Sequence, residues 1–209
     1  MKIAFLSESP ADEAAIRVLT EAVLGQSIEV HAPLKLRARG WPSVLNLLHA
    51  VISSLQYETD VDGLVVIVDS NGTPLHKQEK PIPCDPHCRL CQLLVRRDCT
   101  LSQLRPRAGQ ASIRVAIGLA MPAIEAWYLC GKYQDVGECL SAEQMAENRL
   151  RTTRKRLKVR AYGTDVLPMQ LLTQKAVEYS NGLAASLAML EARFPIGFGG
   201  FAAQIKSWR

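Results

Sequence analysis

No stretch of about 18 consecutive apolar residues occurs in this chain, and it does not open with the charged-then-apolar leader of a secretory signal. A bilayer-spanning helix and a membrane partner are therefore not expected; a cytoplasmic location is. Two nucleotide-binding fingerprints are missing as well. There is neither a Walker-type glycine loop nor a Gly-x-Gly-x-x-Gly run, which weighs against a small-molecule phosphotransfer enzyme. Internal repeats and low-complexity tracts are also lacking. What is present is a 209-residue chain, 48% hydrophobic and 22% charged, with residues enough for one full core and a small appendage. The net charge of +5 fits a polyanionic partner without requiring one. In a reducing compartment the six cysteines point to metal binding or simple burial rather than to disulfides.

Along the chain, Lys2 to Ser7 (KIAFLS) is a short apolar run that predicts a buried strand. The segment SPADEAAIRVLTEAVLG after it predicts a helix: Ser9 caps it, Pro10 suits its first position, and Asp12 and Glu13 favour its positive end. Ile16, Leu19 and Val23 then recur at helical spacing. SIEVHAPLKL reads as a second strand that Pro33 must bend or end. SVLNLLHAVISSLQ places Val44, Leu47, Leu48, Val51 and Leu55 on one helical stripe. GLVVIVD is apolar on both faces, as a parallel strand covered by helices on either side must be. Residues 72–110, rich in Pro, Cys and charge, interrupt the pattern; SIRVAIGLA resumes it, and MPAIEAWYLCGKY predicts a helix beginning near Pro122. Residues 1–135 are thus expected to form an α/β domain with a mostly parallel sheet, carrying a Cys-rich insertion at 72–110. Residues 136–209 are expected to form a C-terminal helical extension ending in a glycine-broken tail.

Three acidic residues fall at the carboxyl edge of such a sheet: Glu8 after the first strand, Asp69 after VVIV, and Glu125 after SIRVAIGLA. Ligands of open parallel sheets bind at that edge. For Asp69 alone, a turn role is an equal reading, since Asp-Ser-Asn-Gly is good turn chemistry. Three carboxylates brought together repel unless a cation neutralises them, and hard oxygen donors suit Mg²⁺ or Mn²⁺.

The same segments resemble a known family. FLSESPADEAAIRVL resembles the first motif of Toprim domains, an apolar strand ending in Glu, then a small turn, then an acidic residue opening the helix; VVIVDSNG resembles their Asp-x-Asp strand end. MPAIEAWYLCGK is similar to a segment of the small Toprim-like proteins of bacterial defence loci, relatives of the OLD-type nucleases. ARFPIGFGGFAAQI resembles their closing segment. The resemblance covers residues 1–71 and 112–132 and, loosely, the tail; the cysteine region has no counterpart. It implies a Toprim-like fold and a Mg²⁺-dependent nuclease acting with an ATPase partner protein. Glu8 would be the acid or base and Asp69 a metal ligand, with Glu125 completing the catalytic set. Asn71 departs from the family, because it supplies an amide where Asp-x-Asp has a second acid. As a fourth metal ligand it coordinates without neutralising charge, so a non-catalytic assembly module stands as the alternative.

IPCDPHCRLCQLLVRRDC holds Cys84, Cys88, Cys91 and Cys99, four soft ligands within sixteen residues, enough for one tetrahedral Zn²⁺, with His76 and His87 nearby. The Cys-x3-Cys-x2-Cys triplet also matches iron–sulfur spacing in radical enzymes, but it sits in a loop of a short chain rather than after the first strand of a long barrel. Unliganded, partly buried cysteines are the third reading. Cys130 and Cys139 are read as core or helix-surface residues, Cys130 sharing the apolar face of Ile124 and Trp127.

NRLRTTRKRLKVR carries Arg149, Arg151, Arg154, Lys155, Arg156, Lys158 and Arg160 without one acid. A solvated helix face is the plain reading. Seven like charges nevertheless destabilise a helix unless an anion is present, and nucleic-acid phosphates would supply it; an acidic protein partner would do so equally well.

Overall fold

The structure is a computed structural model that describes residues 1–32, 40–71, 73, 76, 85–106, 108–138 and 147–209, the side chains of 147–153 excepted. Four strands, β1 (Lys2–Ser7), β2 (Glu29–Val30), β3 (Gly63–Asp69) and β4 (Arg114–Ala120), form one all-parallel sheet in the order β2-β1-β3-β4. The register pairs Ile3 with Gly63 and Ser7 with Ile67, then Gly63 with Arg114 and Asp69 with Ala120. The α/β expectation therefore holds. Side chains alternate between two cores along each strand, as the pleat requires. Ile3, Phe5, Val65, Ile67 and Ala116 face one, while Ala4, Leu6, Leu64, Val66, Val68 and Ile117 face the other.

Helix α1 (Pro10–Leu24) packs on the first face. Ser9 caps it, accepting from the Asp12 amide, and Gly25 ends it at φ 67°, a left-handed conformation that costs glycine little. Helices α2 (Trp41–Glu58) and α3 (Arg89–Gln103) cover the opposite face. Helices α1 and α3 thus cover opposite faces, and β1 and β3 are neighbouring strands whose crossovers run to opposite edges of the sheet, so the carboxyl ends of these two strands are its topological switch point, where open α/β sheets bind ligands.

Helix α3 corrects the reading of residues 72–110 as a plain interruption. Leu90, Cys91 and Leu93 are buried against α2 and β4, so this stretch contains the covering helix of the β3-to-β4 crossover. The second strand is likewise shorter than SIEVHAPLKL suggests. Only Glu29 and Val30 pair with β1, the His31 amide adds one bond to Ile3 O, and 33–39 lie outside the described residues.

The C-terminal half joins the first core. Helix α4 (Ile124–Tyr128) is short, starting at Ile124 rather than Pro122 because Ala123 is extended and acts as its N-cap. Helices α5 (Glu147–Tyr162), α6 (Met169–Ala184) and α7 (Leu187–Arg193) follow, then a π-helical turn at Pro195–Gly199 and α8 (Gly200–Lys206). Helix α6 lies along α1, and α8 packs on β4. Trp127, Phe194, Phe198 and Phe201 are fully buried together, with the Trp127 and Phe198 rings edge to face at 5.3 Å. Cys130 belongs to this core with Ile124 and Trp127; Cys139 lies outside the described residues. Among the described residues no helix is long and apolar enough to cross a membrane.

Candidate functional site

Four carboxylates meet at the carboxyl edge of the sheet, each delivered by the end of a regular element. Glu8 follows β1, Asp12 stands in the first turn of α1, Asp69 closes β3 and Glu125 stands in the first turn of α4. Glu8 Oε1 accepts from the Asp69 amide at 3.1 Å. Asp69 Oδ1 accepts from the Ile124 amide at 3.0 Å, which ties β3 to the start of α4. Asp69 and Glu125 are both buried, and Glu125 Oε2 has no hydrogen-bond partner among the described residues.

Three cations stand against this edge. Arg154 Nη2 of α5 lies 3.0 Å from Asp69 Oδ2, and Lys158 Nζ lies 3.9 Å from Glu125 Oε1. Arg89, the first residue of α3, donates to Asp69 O at 2.6 Å, lies 3.4 Å from Glu8 Oε1 and stacks on the Trp41 ring at 4.9 Å. The anion required by the basic run is thus at least partly the protein's own. Of its seven cations, Arg154 and Lys158 meet the acidic edge, Lys155 meets Asp165 and Arg160 meets Asp135. The side chains of Arg149 and Arg151 lie outside the described residues, and Arg156 is exposed.

The electrostatics follow from crowding without water. Burial, with the neighbouring charges of Glu125 and Glu8, pushes the Asp12 carboxyl up to about 7. Burial first, then Asp12 and Glu125, drives Asp69 well above the usual carboxylate range against the pull of Arg154. Glu125 is raised by burial, with Lys158 opposing. Tyr128, whose buried hydroxyl lacks a partner among the described residues, is raised by burial and by the nearby acids. These shifts mark a site where negative charge is held at a cost that a cation would offset.

Asn71 stands two residues after Asp69 at φ 44°, and its backbone N–H donates to Pro122 O at 3.1 Å. Asparagine is among the few side chains that tolerate a left-handed backbone, so the turn itself accounts for an Asn here. Asp12 is the member of the edge that the sequence presents only as a helix-end acid; its signal is the acidic residue opening the helix in FLSESPADEAAIRVL.

The cysteines arrange themselves differently from a Cys84–Cys88–Cys91–Cys99 tetrad. Cys88 is the N-cap of α3 and Cys91 lies three residues on, one turn above it on the same side, not in a loop. Cys99 sits eight residues beyond Cys91, about 12 Å further along the helix at 1.5 Å per residue, and is exposed. Its sulfur accepts from Gln103 instead. Cys84 lies outside the described residues. In place of Cys99 stands His76, whose Nδ1 is 3.7 Å from Cys88 Sγ and 3.3 Å from Cys91 Sγ. His76, Cys88 and Cys91 bring one donor atom each within 4.8 Å of one another, a group that could hold a metal such as zinc. His87 is exposed and outside this group.

Comparison of the chain with protein-family models, curated proteins and solved structures finds no match.

Proposed function

We propose that the chain is a Toprim-like, metal-dependent nuclease of the cytoplasm, acting on phosphodiester bonds of DNA or RNA as the effector of a bacterial anti-phage system with an ATPase partner. The observation that carries this reading is the meeting of Glu8, Asp12, Asp69 and Glu125 at one sheet edge, with a buried oxygen of Glu125 left without a partner among the described residues. The donor set fits Mg²⁺ or Mn²⁺, being carboxylate oxygens, with Asn71 two residues beyond Asp69. The system and the partner come from the sequence resemblance alone.

Glu8, Asp12, Asp69 and Glu125 would hold the ion. Such an ion polarises a phosphate oxygen and lowers the pKa of bound water. The protein's own contribution is fixed charge. Arg89 is anchored by Asp69 O and Trp41, close enough to the edge to balance a phosphate without rearranging. Arg154 and Lys158 reach the edge from α5, and the exposed Arg156 would extend the path for nucleic acid along that helix. Glu8, just after β1, is the residue proposed to accept or return a proton.

A second reading has an observation in its favour. Arg154 and Lys158 already neutralise Asp69 and Glu125, as they would in a non-catalytic assembly module that needs no metal. Cleavage decides between them. Labelled single- and double-stranded DNA and RNA are incubated with the chain, alone and with its ATPase partner, in Mg²⁺ or Mn²⁺. The nuclease reading expects cleavage that falls at least about 10²-fold in Asp69→Ala and in Glu8→Ala. No cleavage under any of these conditions, together with retained biological function in both variants, would establish the module instead.

A further inference from the structure

We propose that His76, Cys88 and Cys91 hold one zinc ion, and that this ion, by fixing the start of α3, sets the guanidinium of Arg89 against Glu8 and Asp69. The ligand spacing is the first ground. Around a tetrahedral zinc with Zn–S of about 2.3 Å and Zn–N of about 2.0–2.1 Å, sulfur and nitrogen ligands lie about 3.6 Å apart. The His76 Nδ1 distances, 3.7 Å to Cys88 Sγ and 3.3 Å to Cys91 Sγ, bracket that value.

The second ground is setting. Both cysteines are 0% exposed, at the N-cap and in the first turn of a fifteen-residue helix, and His76 stands half-buried beside them. Two thiolates and an imidazole are the donors of zinc rather than of Mg²⁺.

The third ground is connection. His76 lies twelve residues before Cys88, far in sequence for so close a contact, and a shared ion would tie His76 to the helix start. Arg89 is the residue after Cys88. Its Nη1 reaches Asp69 O at 2.6 Å and Glu8 Oε1 at 3.4 Å, while its guanidinium rests on Trp41. Whatever holds Cys88 in place therefore holds the cation that stands between the two carboxylates. The zinc site is distinct from the acidic edge, and its test needs no nucleic acid, so it can fail or succeed separately from the nuclease reading.

The test uses the full chain purified without chelator. Elemental analysis should give one zinc per chain. Replacement by Co²⁺ should produce the thiolate charge-transfer absorption and the visible bands of a tetrahedral cobalt site. Cys91→Ser and His76→Ala should each weaken Co²⁺ binding at least about 100-fold; His76 lies outside every helix, so its variant guards against a folding failure of the cysteine changes. Cys99→Ser and Cys130→Ser should bind as the wild type does. Removing the zinc should change tryptophan emission, and that change should vanish in Trp41→Phe, which reports on the Arg89 contact. The ligand assignment is overturned if the wild type binds neither metal, if His76→Ala and Cys91→Ser keep full affinity, or if Cys99→Ser loses the metal. Zinc bound and removed with no change at Trp41 overturns the link to Arg89.

Discussion

Arg154 Nη2 sits 3.0 Å from Asp69 Oδ2, so the basic helix touches the sheet at the carboxylate that ends β3. The Asp69 side chain is 9% exposed and that of Arg154 is 40% exposed, which makes the pair half-solvated. Breaking it leaves a buried carboxylate without its strongest local cation. Arg154→Gln should therefore cost about 1–2 kcal/mol, below the value for a fully buried pair because Arg154 is partly screened. If Arg154 stands in for a metal, millimolar Mg²⁺ should raise the melting temperature of the variant more than that of the wild type. Melting curves with and without Mg²⁺ check this; no Mg²⁺ response in either protein would argue that the edge takes no cation but arginine.

The raised carboxyls give a pH dependence of definite sign. Asp12 titrates near 7 when folded and near 3.8 when unfolded, so between these values the folded state binds more protons. Stability should then fall as pH rises from about 4 to about 7, by up to about 1.4 kcal/mol per pH unit for one such proton, and level off above. Asp69 and Glu125, both raised by burial, act in the same direction. Urea unfolding midpoints for wild type and Asp12→Asn should diverge across this range, with the shallower dependence in the variant. Equal slopes would mean that Asp12 is ionised in the folded protein at pH 5.

Much of the fold was legible because β1, β3 and β4 are unbroken apolar runs, a pattern that only strands covered on both faces need. From a parallel sheet it follows that Glu8 and Asp69 adjoin, as their hydrogen bond records. Asp12 was harder to see, since an acid in a first turn already has a sufficient role against the helix dipole. Helix α3 was obscured by its own polarity: Arg89, Arg96, Arg97 and Asp98 outweigh the stripe of Leu90, Cys91 and Leu93 that it buries. The helix in turn explains why cysteine spacing alone misleads. Residues 88 and 91 are one turn apart, whereas 99 lies about 12 Å further along the helix than 91, and His76 is brought near by the chain's path, which no local spacing encodes.

Two glycines of the C-terminal half should respond oppositely to alanine. Gly197 approaches β4 so closely that an added methyl would run into Leu119 O and Glu138 Oε1, and its amide donates to that same carboxylate at 2.5 Å. Gly182, in α6, has nothing within 4 Å of the methyl position. Gly197→Ala should cost about 2 kcal/mol or more, whereas Gly182→Ala should add about 0.5–1 kcal/mol through helix propensity and a stiffer unfolded chain. Denaturant midpoints check both signs.

Asn71 separates a built metal site from an abandoned one. Its left-handed backbone, φ 44°, suits Asn and Asp alike, so Asn71→Asp should leave folding within about 0.5 kcal/mol of wild type while adding a charge to the rim of the acidic edge. In bulk water a unit charge 4 Å from another contributes about 1 kcal/mol, and about twice that against a dication, so Mg²⁺ affinity should rise roughly tenfold or more. Asn71→Ala, which loses the amide and tolerates the positive φ poorly, should destabilise the turn and weaken Mg²⁺ binding together. Calorimetric titration of Mg²⁺ into the three proteins measures the affinities, and the cleavage assay shows whether activity follows. A nuclease should keep or gain activity in Asn71→Asp. Undetectable Mg²⁺ binding in both wild type and Asn71→Asp would show that the charge missing at residue 71 is not what limits the site, and would leave Arg154 and Lys158 as its cations.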